Sequence, residues 1–216
     1  MNLMTNASNN SNTSNNSNGK FLWIMDNGHG ADTPGKRSPM LMDGRQFREC
    51  FFNREVVTRM ISMLNFLGLR AIKLVPEHED IPLSIRVARA NALNQTNICV
   101  LVAVHSNAYG DGSRFSVPRG IETYYHESSE AGKKIAEMFQ ENLVQVTGWR
   151  NRGIRRGNFQ IIKETAMPAI LTENGFYTNR EQLEYLLDSD WRETIATAHV
   201  EAIKEIEEMG PKFFQS

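Results

Sequence analysis

Residues 98–104 read Ile-Cys-Val-Leu-Val-Ala-Val, an unbroken apolar run rich in β-branched side chains. A run of this length with no polar face predicts a central strand, buried on both sides and covered by helices. It stops at His105-Ser106-Asn107-Ala108. Two other runs share the pattern. Residues 21–25 lead into Asp26-Asn27-Gly28-His29-Gly30, and Pro168-Ala169-Ile170-Leu171-Thr172 leads into Glu173-Asn174-Gly175-Phe176. The glycines around His29 allow a sharp turn and a close backbone approach. His29 is therefore expected in a tight loop at the carboxyl end of a strand, where open α/β sheets place their ligands.

The 216 residues suit one domain with an appendage. A net charge of -1 gives no reason to expect nucleic acid or an anionic membrane as partner. No apolar run approaches the ~20 residues needed to span a bilayer. No basic segment followed by an apolar core opens the chain, so synthesis in a reducing cytoplasm without a signal peptide is expected. Cys50 and Cys99 read as core residues, not as a disulfide framework. Residues 2–18, mostly Asn, Ser and Thr, predict a disordered arm over residues 1–19. Residues 20–210 are expected to form the domain and 211–216 a short tail.

Residues 31–44, rich in Gly, Pro and charge, predict a long loop beside His29. Phe52, Val56, Met60, Met63 and Leu64 recur at helical spacing within residues 45–67, with Glu49 in the first turn or just before it. Gly68 ends that helix, and residues 69–75 are a second strand. A helix over residues 82–94 is expected to turn Ile85, Ala88 and Leu93 inward. Residues 120–125 predict a strand, and 128–146 an amphipathic helix capped by Ser128. Residues 151–157 read as a basic turn, 159–162 as a short strand, and 180–187 and 191–209 as closing helices. Trp23 and Trp191 are expected in the core, and Trp149 is a candidate to stack on a sugar. His78, His126 and His199 read as structural or surface residues.

Three buried-looking strands thus end in a metal-ligand type or a carboxylate: His29, His105 and Glu173. Glu49 is a fourth candidate. If the three strands lie side by side in parallel, their ends converge. Two imidazoles and a carboxylate with an open fourth position are the ligand set of a catalytic zinc. A further carboxylate would serve as general base. The residues alone leave a second reading open, in which strand-end polar groups simply cap loops.

Four segments, with intermediate pieces between them, resemble the zinc-dependent N-acetylmuramoyl-L-alanine amidase family, the catalytic type of bacterial cell-separation amidases and many phage endolysins. They are Asp26-Asn27-Gly28-His29-Gly30; Glu49 with Asn53 and Arg54; His105-Ser106-Asn107-Ala108; residues 168–176 with Asn179; and intermediate pieces such as Gly120-Ile121-Glu122-Thr123-Tyr124-Tyr125 and Asn151-Arg152-Gly153-Ile154-Arg155. The resemblance runs from about residue 21 to about residue 206. It implies an α/β single domain with a central twisted, mostly parallel sheet and helices on both faces. It also implies one zinc ion on His29, Glu49 and His105, with Glu173 as the catalytic glutamate. Glu55 is the nearby alternative ligand; Glu49 is preferred because the family places this residue four before the helix Asn, here Asn53. The chain departs from the family in its longer, more basic loop, Ala31 to Pro39.

The implied substrate is peptidoglycan, cut at the amide between muramic acid and L-alanine. Arg155 and Asn107 are candidate substrate contacts, and Arg152 and Arg156 read as surface charge. The alternatives are a zinc peptidase acting on stem peptides and a wall-binding module without chemistry. A phage-type lytic enzyme, reaching the wall after membrane permeabilisation, is the expected setting.

Overall fold

The structure is a computed structural model that describes residues 19–214. The arm expected over residues 1–19 lies, but for Gly19, outside the described residues. The strands are β1 (Leu22–Asn27), β2 (Arg70–Lys73), β3 (Cys99–Asn107), β4 (Ile121–Tyr125), β5 (Asn151–Arg156) and β6 (Ala169–Phe176). The helices are α1 (Glu49–Phe66), α2 (Leu83–Asn94), α3 (Glu130–Thr147), α4 (Gln160–Lys163), α5 (Arg180–Leu187) and α6 (Ser189–Met209).

All six strands form one sheet in the order β2-β1-β3-β6-β4-β5. β1 runs parallel to β2 and β3, and β3 parallel to β6. β4 is antiparallel to β6 and carries β5 in parallel on its outer edge. The fold is thus a single α/β domain with a mostly parallel sheet. β1, β3 and β6, the three apolar runs, lie side by side with their carboxyl ends together.

The central strands β1, β3 and β6 are buried on both faces because alternate residues enter different cores. Trp23, Met25, Val100, Val102, Val104 and Ile170 pack with α1, α3 and α6. Leu22, Ile24, Cys99, Leu101, Ala103 and Leu171 pack with α2 and α4. Cys50 and Cys99 are buried free thiols. A 3-10 turn, Gly210–Phe214, takes up the start of the expected tail and buries Phe213. Among the described residues no helix is long and apolar enough to cross a membrane.

Several local expectations are corrected. Residues 151–157 are not a turn but the edge strand β5. Gly153 has a positive φ of 80° and sits where the β4–β5 register shifts, so it marks a bulge. The turn-like composition conceals a strand whose partner is distant in sequence. Residues 160–163 are a helical turn that buries Ile161 and Ile162, since so short an apolar run carries no period. α2 buries Arg86, Val87 and Ala90, while Ile85 is exposed. Arg86 takes an inward position and pairs with Asp26, as described below. Ser129, not Ser128, caps α3, its Oγ accepting from the Gly132 N–H at 2.9 Å. Trp191 is half-buried in an outer aromatic cluster with Trp149, their centroids 4.8 Å apart. Trp149 also lies against Gly175, where a Cβ would come within 2.4 Å of the ring, and it lines a surface pocket with Arg119, Arg150 and Glu181.

Candidate active site

β1 ends at Asn27, and the next three residues build the first half of the site. A Cβ on Gly28 would lie 2.1 Å from His105 Cε1, so only glycine leaves room for that imidazole. His29 has φ 66°, a left-handed conformation uncommon for a residue with a side chain. The His29 and His105 rings stand edge to face, with centroids 4.9 Å apart. A Cβ on Gly30 would lie 2.1 Å from the Asp80 nitrogen, so glycine lets the 79–80 backbone close over the loop. Beneath it Arg86, buried in α2, donates to Asp26 Oδ1 at 2.7 Å, to Asp80 Oδ1 at 3.0 Å and to the Asn27 carbonyl at 3.3 Å.

Glu49 is the first residue of α1, and its N–H donates to the Lys36 carbonyl at 3.0 Å. One turn on, Asn53 Nδ2 donates to the Gly28 carbonyl at 2.9 Å and ties the helix to the histidine loop. Glu49 Oε1 lies 2.9 Å from His105 Nδ1 and 3.4 Å from His29 Nε2. One donor atom from each of His29, Glu49 and His105 falls within 4.8 Å of the others. Burial by itself would raise the Glu49 carboxyl, but the His105 and His29 contacts outweigh it and hold the group far below the ordinary carboxylate range. It is a carboxylate, the ligating form. Two imidazoles and a carboxylate with converging donors fit a divalent zinc-type ion. Glu55 instead pairs with Arg59 at 2.6 Å and with Arg192, so the competing ligand is engaged elsewhere.

Glu173 and His105 are register partners in the parallel β3–β6 pair. Both lie inside strands, not in the loops after them. Glu173 Oε2 is buried with no hydrogen-bond partner. Burial, then the charges of Glu49 and Glu122, push the Glu173 carboxyl well above its usual value, against a smaller opposing pull from Lys36. A pocket beside it is lined by Lys36, Glu49, Ser106, Asn107, Glu173 and Tyr177. A second cleft is lined by the two histidines, His29 and His105, together with Ile81, Pro82, Leu83 and Arg86.

Of the two candidate substrate contacts, Asn107 lines the Glu173 pocket and Arg155 stands on the edge strand β5. Both touch Glu122: Asn107 Nδ2 donates to Oε1 at 2.8 Å, and Arg155 Nε pairs with Oε2 at 2.8 Å. Arg152 is not plain surface charge, since its Nε donates to Glu122 Oε2 at 2.7 Å. His126 bonds Ser128 Oγ, His78 is exposed, and His199 is buried behind β6. Sequence reasoning assigned no role to Glu122, Lys36 or Tyr177. A lone acidic residue inside the apolar strand of residues 120–125 is the signal for the first.

An α/β sheet that presents a His/Glu/His donor set and a separate carboxylate at its strand ends has the make-up of a metal-dependent hydrolase. The profile of the N-acetylmuramoyl-L-alanine amidase family matches residues 24–205, and the chain belongs to that family. It is 27% identical over 181 residues to the N-acetylmuramoyl-L-alanine amidase CwlM of Bacillus licheniformis, covering 83% of this chain and 66% of the relative. It is 27% identical over 187 residues to the endolysin of Bacillus phage SPP1, covering 87% and 66%. The chain thus spans just under two thirds of the length of these relatives. Among solved structures, an N-acetylmuramoyl-L-alanine amidase from Clostridium difficile 630 superposes with a TM-score of 0.76 at 26% identity, covering 88% of this chain and 98% of that one.

Proposed function

We propose that this chain is a zinc-dependent hydrolase that cleaves the amide between N-acetylmuramic acid and L-alanine in peptidoglycan. The observation that carries the reading is the meeting of His29, Glu49 and His105 donor atoms beside Glu173, whose Oε2 is buried and has no hydrogen-bond partner. His29, Glu49 and His105 would hold the ion. Bound there, zinc supplies Lewis acidity, which polarises an amide carbonyl and lowers the pKa of water.

Glu173 is the general base and then the general acid. It takes a proton from the attacking water at its carboxylate and passes it to the nitrogen of the leaving L-alanine. Burial and the neighbouring carboxylates raise its pKa, which makes it the stronger base toward the water proton. Asn107, in the same pocket, contacts the substrate near the scissile bond, and Arg155, on β5 against Glu122, contacts it further along the peptide.

The similarity to a phage endolysin supports a lytic role, with the wall reached after membrane permeabilisation. Mass spectrometry of purified peptidoglycan after digestion tests the reaction. Free stem peptides beginning with L-alanine are expected, lost with a chelator and restored by zinc. Cleaved cross-links with intact muramoyl-alanine bonds would mark a peptidase, and zinc binding without any cleavage would mark a wall-binding module.

A further inference from the structure

Glu122 lies on β4, 3% exposed, and is saturated by donors. Oε1 accepts from Asn107 Nδ2 and Tyr124 Oη, each at 2.8 Å. Oε2 accepts from Arg152 Nε at 2.7 Å and pairs with Arg155 Nε at 2.8 Å. One carboxylate therefore faces two guanidiniums, which leaves a net charge of +1 on the cluster. Both arginines are held through Nε. Among the described residues no group accepts a hydrogen bond from the terminal nitrogens of either.

The bulge at Gly153 makes this pairing possible. Residues three apart on a regular strand point to opposite faces. The extra residue between the Ile121–Asn151 and Thr123–Ile154 pairs resets the alternation, so Arg152 and Arg155 both reach Glu122. Arg152 is fixed further by the Phe176 ring, 4.8 Å from its Cζ to the centroid. Arg155, with its side chain 45% exposed, offers its free edge to solvent. Two oriented guanidinium edges with surplus positive charge are a receptor for a carboxylate.

We infer that Glu122 is a positioning residue that aims Arg155 and Arg152 at a carboxylate of the stem peptide, carried by the residue after L-alanine. The inference rests on the amidase reading above. Glu122 faces Glu173 directly across β4–β6, so the guanidiniums stand one to two strand spacings, about 5–10 Å, from the general base. That matches the reach of about two extended residues from the scissile amide. The site would thus distinguish a free carboxylate at the second stem residue from its amide.

The test is steady-state kinetics on two muramoyl-peptides that differ only in whether the second stem residue carries a free carboxylate or a carboxamide. The wild-type chain should favour the free acid by about tenfold in KM, the worth of one charge-assisted hydrogen bond. Arg155→Gln, at an exposed position that folding tolerates, should bring the two KM values together, and Arg155→Lys should restore part of the preference. Glu122→Gln should also erase it, which a merely structural loss, lowering kcat on both substrates alike, would not do. Equal KM values in the wild type, or a preference that survives Arg155→Gln, would overturn the inference. If the wild type cleaves neither muramoyl-peptide, the amidase reading fails first and this inference with it.

Discussion

Glu122 and Glu173 face each other across the antiparallel β4–β6 pair, two carboxylates at directly opposed positions of one sheet. Like charges so placed repel, and the protein resolves the conflict by unequal supply of partners. Glu122 is surrounded by donors, and although burial works against it, its carboxyl is held below the ordinary range. Glu173 has an unpartnered oxygen and is pushed up. Pairs of groups driven apart in this way divide the work of holding charge and moving protons. Replacing Glu173, the proposed proton carrier, by its amide isolates the chemistry. Glu173→Gln should retain zinc at wild-type stoichiometry and lose roughly 10²–10⁴-fold in kcat. Metal analysis and turnover on the same sample check both halves, and near-normal turnover would remove Glu173 from the mechanism.

Gly28 should be as necessary to metal binding as the ligands. Gly28→Ala places a methyl group on the His105 ring and must displace it. Zinc affinity should fall by roughly 10–100-fold, as for loss of groups that orient a ligand. Competition with a chromophoric chelator measures it, while circular dichroism should show an intact fold. Unaltered affinity would mean that His105 is not a ligand.

Removing Arg86 should destabilise the domain severely. Its guanidinium is 2% exposed and is the partner of an Asp26 that is 1% exposed. Arg86→Met leaves a buried carboxylate uncompensated, a loss expected at about 3–5 kcal/mol. Urea unfolding measures the change, which a surface ion pair would not approach.

His199 makes stability depend on pH. Its Nδ1–H donates to the Ile195 carbonyl at 2.8 Å, and Nε2 accepts from Thr172 Oγ1 at 2.9 Å, so the folded ring is neutral. Burial lowers its pKa from 6.5 to about 4, partly opposed by the Ile195 bond. Between those values the unfolded chain binds the extra proton and the folded chain does not. The stability is complete above pH 6.5 and declines as pH falls toward 4, by roughly 3 kcal/mol for this group. Comparing urea midpoints of wild type and His199→Gln across that window isolates the term. Parallel pH profiles for the two proteins would refute it.

Much of the fold could be read from the chain because it is locally encoded. The apolar runs that became β1, β3 and β6 each carry their proposed site residue in covalent continuity, His29 just past β1 and His105 and Glu173 near the ends of β3 and β6. Glu49 is placed the same way, by the start of α1. Such positions need only strand and helix patterning, which the sequence determines by itself. The strand order that brings β6 against β3, the edge pairing of β5, the burial of Arg86 and the four donors on Glu122 join segments far apart in the chain. Local composition points the wrong way for two of them: Asn151 to Gly157 looks like a turn, and Arg86 looks like surface. Only the tertiary structure decides these, because a buried charge and an edge strand are stable only once their distant partners are in place.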